Sequence, residues 1–147
     1  MTEKKIKDFF IQGAISPTFI ADSIAKHSSK KEIGGHSIFL GQVRADQVDG
    51  KSVSSIDYTT YQEIALEQMH IIREEIFIKY PLSCLHVYQS LGIIKAGEIC
   101  LFIFTSSAHR KPAIAACEEL VERFKAELPI WGKELFEDGT HQWKENK

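Results

Sequence analysis

The chain has 147 residues, of which 44% are apolar and 26% charged, and its 18 basic against 20 acidic side chains give a formal net charge of −2. Those totals fit one folded domain over 1–147 and exclude a disordered chain or a nucleic-acid coat, which needs a basic surplus. The start is charged, with no apolar stretch of signal-peptide length, and no apolar run approaches the roughly 18 residues of a membrane helix.

Lys5 to Gln12 reads as an opening strand. Ser16-Pro17 then predicts a helix N-cap followed by proline at the first helical position, with the helix running to about His27. Gly34-Gly35 breaks the chain before a strand from His36 to Val43. Arg44 to Lys51 reads as a polar loop holding the turn pair Asp49-Gly50. Ser52 to Thr59 alternates as a strand. Thr60-Tyr61-Gln62-Glu63 matches a capping box and predicts a helix that Tyr80-Pro81 closes. Strands follow at Leu85 to Leu91 and Glu98 to Thr105, linked by Gly92 to Gly97. The second is continuously apolar from Ile99 to Phe104, as a strand covered on both faces would be. A third helix is predicted from about Ala108 to Glu127. Beyond Pro129, Trp131 to Phe136 and His141 to Trp143 flank Asp138-Gly139 as a hairpin. Three main helices separated by strand pairs give an α+β fold with a mostly antiparallel sheet.

The three cysteines, Cys84, Cys100 and Cys117, fall in apolar strands or on the apolar side of a helix. They read as buried thiols without disulfides, which fits a reducing cytoplasm. His27, His36, His70, His86 and His141 show no spacing suited to a metal, and His86 reads as a core histidine.

The informative stretch is Ser106-Ser107-Ala108-His109-Arg110-Lys111. A helix N-terminus carries unpaired N–H groups and partial positive charge, and basic residues there call for an anion. The residues alone leave two arrangements open: an anion site, or a Ser107 cap with solvated charges. Two further stretches, Gly41 to Arg44 and Lys125 to Glu134, carry arginine and lysine beside strand and helix ends, and each has an equally ordinary surface reading.

Three blocks taken together resemble the large subunits of molybdopterin synthase: Phe39-Leu40-Gly41-Gln42-Val43-Arg44, Thr105-Ser106-Ser107-Ala108-His109-Arg110, and Lys125-Ala126-Glu127-Leu128-Pro129-Ile130-Trp131 with Lys133-Glu134. The resemblance covers nearly the whole chain. It implies an α/β-hammerhead-like fold and a sulfurtransferase that converts cyclic pyranopterin monophosphate (precursor Z) to molybdopterin. It also implies a sulfur donor, the C-terminal Gly-Gly thiocarboxylate of a small ubiquitin-like subunit, and a heterotetramer with a central dimer of large subunits. Neither cofactor nor metal is expected in the site.

By the same resemblance, Arg44, His109 and Arg110 are substrate-binding and Lys125 is catalytic. Many relatives carry a second lysine directly after the tryptophan. Here Gly132 holds that place and Lys133 follows, so Lys133 fills the role only if the strand bulges to turn its side chain over. Gly132 also motivates a second reading, a non-catalytic module that binds a ubiquitin-like tail or a phosphorylated ligand. A phosphoester hydrolase using His109 is a weaker third, since no paired carboxylates or metal cluster accompany it.

Overall fold

Helical and two-residue periodicities resolve into three helices and eight strands in the computed structural model, which describes residues 6–145. In chain order these are β1 (Phe10–Gln12), α1 (Pro17–Ala25), β2 (Gly35–Gln42), β3 (Gln47–Val48), β4 (Lys51–Thr60), α2 (Gln62–Lys79), β5 (Cys84–Lys95), β6 (Ile99–Ser107), α3 (Arg110–Glu127), β7 (Ile130–Phe136) and β8 (His141–Trp143). Lys5, where the sequence reading begins its first strand, lies outside the described residues. None of the described helices is long and apolar enough to cross a membrane.

The strands form one path, β2-β6-β5-β4-β7-β8, with β1 beside β5 and β3 beside β4. All pairings are antiparallel except β1 with β5. β6 explains its own unbroken apolar run. Leu101 and Ile103 face a core shared with Met69, Ile72 and Ile76 of α2 and Ala116, Leu120 and Phe124 of α3. Phe102 and Phe104 face the other way and pack with Ile15 and with Ile20 of α1. A strand buried on both faces has no polar face to show. α2 and α3 are tied across their solvent side by Arg123–Glu75 and Lys79–Glu119 ion pairs.

Four local expectations change. The Arg44–Lys51 segment is not wholly loop, because Gln47 and Val48 pair with Ser52 and Lys51 around a tight turn. Asp49 and Gly50 both have positive φ, 51° and 78°, the geometry of a two-residue hairpin. The capping box does not form. Tyr61 is the N-cap without a side-chain bond, and the Thr60 hydroxyl donates to the Pro129 carbonyl at 2.8 Å instead. Gly92–Gly97 is not a hairpin link either, since β5 continues through it to Lys95 and only Ala96-Gly97 turns.

Gly92 is where β5 changes partner strands. Residues up to Gln89 pair with β6, and Gly92 to Lys95 pair with β4. The φ of +88° at Gly92 supplies the bend, and side chains rarely tolerate it. Last, α3 begins at Arg110 with His109 as N-cap, two residues later than predicted. Ser107 is buried and donates to the His109 carbonyl, so it caps no N–H.

Candidate active site

The end of α3 carries Lys125, and the strands that follow it build a cavity around that residue. Pro129 ends the helix, and β7 returns along β4 in unbroken register from Ser55↔Leu135 to Thr60↔Ile130. Gly132 therefore faces Tyr58 and Ile56. A side chain there would begin 2.9 Å from Ile56 Cγ2 and 3.2 Å from the Tyr58 ring. Bare backbone at this point leaves a narrow slot of about 80 Å³, lined by Tyr58, Gln89, Cys100, Lys125, Trp131 and Lys144 among others.

Lys125 also borders a second, wider basin of about 610 Å³, together with Arg44, Asp46, Gln142, Trp143 and Lys144. Lys125 and Lys144 line both cavities. Lys125 is exposed, yet protein atoms crowd its amine. That crowding pushes its pKa below the ordinary lysine value, and repulsion from Lys144 adds to the effect, while Cys100 and Glu122 pull the other way. In the wall of the slot a partly buried chain of weak hydrogen bonds runs from the Tyr58 hydroxyl to Cys100 Sγ and from Cys100 to the Gly41 carbonyl, each at 3.5 Å. Burial, reinforced by Cys100, raises the Tyr58 pKa well above its usual value, so the phenol stays protonated. Arg44 reaches over the rim with three quarters of its side chain exposed, and a two-point contact with Asp46 at 3.2 and 3.4 Å holds its guanidinium.

The sequence-predicted residues divide into three groups. Arg44 and Lys125 are brought together. Lys133 is not: the register holds no bulge at Gly132, so its side chain stays on the opposite face. Its amine lies 5.8 Å from the centre of the Trp143 ring, and it lines neither cavity. His109 and Arg110 lie at the other end of α3, on a separate shallow surface of Gly34, Ala108 and Lys111. About 22 Å of helix axis separates Arg110 from Lys125 at 1.5 Å per residue. Within one copy of the chain, the Ser106–Arg110 run and the Lys125 segment line different cavities.

Sequence reasoning missed Lys144. It follows β8, its backbone N–H donates to the Gly132 carbonyl at 2.8 Å, and it lines both the slot and the basin. The Asp138-Gly139 hairpin was the available signal, because it folds the chain end back over Gly132.

Comparison with known proteins agrees with this architecture. The sequence model of the family described as MoaE protein matches residues 15–127. A molybdopterin synthase catalytic subunit from Drosophila willistoni is 39% identical over 116 residues, covering 78% of this chain and 31% of the relative. The crystal structure of molybdopterin synthase from Staphylococcus aureus superposes with a TM-score of 0.81 at 28% identity, covering 97% of this chain and all of that one. A complex of subunits 1 and 2 of molybdopterin-converting factor from Helicobacter pylori shares the fold, with a TM-score of 0.78 at 20% identity over 94% and 90% of the two chains. The chain spans between 31% and 64% of the length of several curated relatives it matches. With a family match running from the residue before the α1 N-cap through Lys125 to the end of α3, the chain belongs to the MoaE protein family.

Proposed function

We propose that the chain is the catalytic large subunit of a cytoplasmic molybdopterin synthase. In this reading it transfers sulfur to cyclic pyranopterin monophosphate from the C-terminal Gly-Gly thiocarboxylate of a small ubiquitin-like partner. The observation that carries it is the position of Lys125, which lines both a narrow slot and a wide basin bordered by Arg44. An extended diglycine tail has no side chains and suits the slot. A phosphorylated bicyclic substrate needs the basin, and the planar fork of Arg44 suits its phosphate.

In this scheme the thiocarboxylate sulfur attacks a side-chain carbon of the pterin as a C–O bond at that carbon breaks, the oxygen leaving as phosphate or water. Water then cleaves the resulting thioester, which releases the carrier as a carboxylate and leaves the sulfur on the pterin, and a second carrier delivers the second sulfur. The Lys125 ammonium stabilises negative charge on the acyl oxygen, and its lowered pKa makes it a readier proton donor than an ordinary lysine. Lys144 supplies the second positive charge that Lys133 does not. Its place in the site weighs against reading Gly132 as the mark of a non-catalytic module.

His109 and Arg110 enter the same scheme through a second copy of the chain, since one copy holds them about 22 Å from Lys125. The proposed assembly is thus a dimer of large subunits, each carrying a small subunit. Incubating the purified chain with a thiocarboxylated carrier and the cyclic substrate should yield the dithiolene product. Absence of product with a carrier that serves another large subunit would sink the proposal.

A further inference from the structure

Far along the same sheet, on its α1 face, three side chains converge that play no part in the chemistry above. Cys84 and His86 alternate on β5 and so share a face. The turn after α1 drops His27 onto them. The three offer Sγ and two imidazole nitrogens, all within 4.8 Å of one another. Spacing along the sequence suits none of these histidines to a metal, yet the fold brings His27 and His86 together across 59 positions.

The geometry points to a binding site for a thiophilic transition-metal ion, held by His27, Cys84 and His86. Its nitrogen spacing already fits. His27 Nε2 and His86 Nε2 are 3.1 Å apart. Two imidazole nitrogens bound to zinc at roughly 2.0–2.1 Å end up about 3.3 Å apart across a tetrahedral angle. The orientation is set as well. His27 Nδ1 donates to the Ser23 carbonyl at 2.7 Å, which leaves the Nε2 lone pair aimed at the cluster. A carbonyl contact of this kind fixes the tautomer and ring angle of metal-bound histidines.

The donor set selects the ion. One thiolate and two neutral imidazoles suit Zn²⁺ or Cu⁺ and not Mg²⁺ or Ca²⁺, which take oxygen. His27 and Cys84 are buried and His86 is half-buried, so the pocket is dry enough to favour coordination over water. Lys30 donates to Cys84 Sγ at 2.9 Å. Lys7, Lys30 and Arg73 also place positive charge around His86. That charge makes the site weaker than one built from four thiolates. A bound ion would fasten the turn after α1 to β5.

The test uses the full chain without a polyhistidine tag, stripped of metal and dialysed against zinc sulfate. One zinc per chain is expected, with Tm rising by roughly 5–10 °C at free zinc about a hundred times Kd. Cys84→Ser and His86→Gln should each weaken binding by more than about tenfold. Cobalt(II) in place of zinc should give a near-ultraviolet thiolate-to-metal band in the wild-type chain that Cys84→Ser lacks. Circular dichroism checks that the variants fold, and if Cys84→Ser does not, His86→Gln decides the matter. Lack of stoichiometric zinc, unchanged binding in a folded His86→Gln, or a cobalt band that survives Cys84→Ser would each overturn the proposal.

Discussion

Lys125 owes its chemistry to where its amine ends up. Crowding favours the neutral form, so its titration begins below the ordinary lysine value of about 10.4. As pH rises, Lys125 should lose its proton and react with an amine-directed label before an ordinary surface lysine does, read by mass spectrometry across a pH series. In Lys144→Ala one cause of the depression is gone, and the midpoint should move up toward the ordinary value while staying below it, because burial remains. Lys125→Ala should cut turnover by about 10²–10³-fold, the cost of losing a positioned charge at a developing anion, with an unchanged denaturation midpoint. Lys133→Ala, by contrast, should leave turnover near wild type, and a large loss there would return Lys133 to the site. Gly132→Ala should destabilise the chain by about 1–3 kcal/mol in chemical denaturation, since its methyl would meet Ile56 and Tyr58.

At the scale of elements, the legible features were those fixed by near neighbours. Ser16 caps α1 by accepting from the Phe19 N–H at 3.1 Å, Tyr80-Pro81 ends α2, and Asp138-Gly139 turns β7 into β8, all as local chemistry dictates. The features that were not legible depend on distant partners. The capping box at Thr60 lost to a carbonyl 69 residues away. The glycine-bounded stretch after Leu91 looked like a link because its second partner strand, β4, lies more than thirty positions back in sequence. The site divides the same way. Arg44 and Lys125 were found through their motifs, whereas Lys144 carries no motif and enters only because a hairpin folds it over Gly132. The φ of +88° gives Gly92→Ala an expected cost of about 1–2 kcal/mol in the same denaturation assay, with no neighbouring side chain to blame, as the nearest atom is 3.7 Å away.

At the scale of the whole molecule, the length of α3 sets a demand that a single copy does not meet. If the proposed site is shared between copies, Lys125→Ala and a His109→Ala, Arg110→Ala double variant should each be inactive alone. Mixed under conditions that exchange subunits, they should regain measurable turnover, because some mixed dimers hold one intact site. Activity that stays at baseline after exchange is demonstrated would show that each copy works by itself.

The bend of β5 has a bearing on how the molecule comes apart. One continuous strand hydrogen-bonds to β6, β1 and β4 in turn, so neither half of the sheet can open without disturbing a strand that the other half needs. The two halves then melt together, in one cooperative unit whose last protected backbone is the centre of β5 and β6. Hydrogen exchange in the native state should find the slowest amides there, opening only with global unfolding, while β8 at the sheet edge exchanges far sooner. A chain that closes such distant partners around one strand also folds late and all at once, so the slot at Lys125 exists only after the whole sheet does.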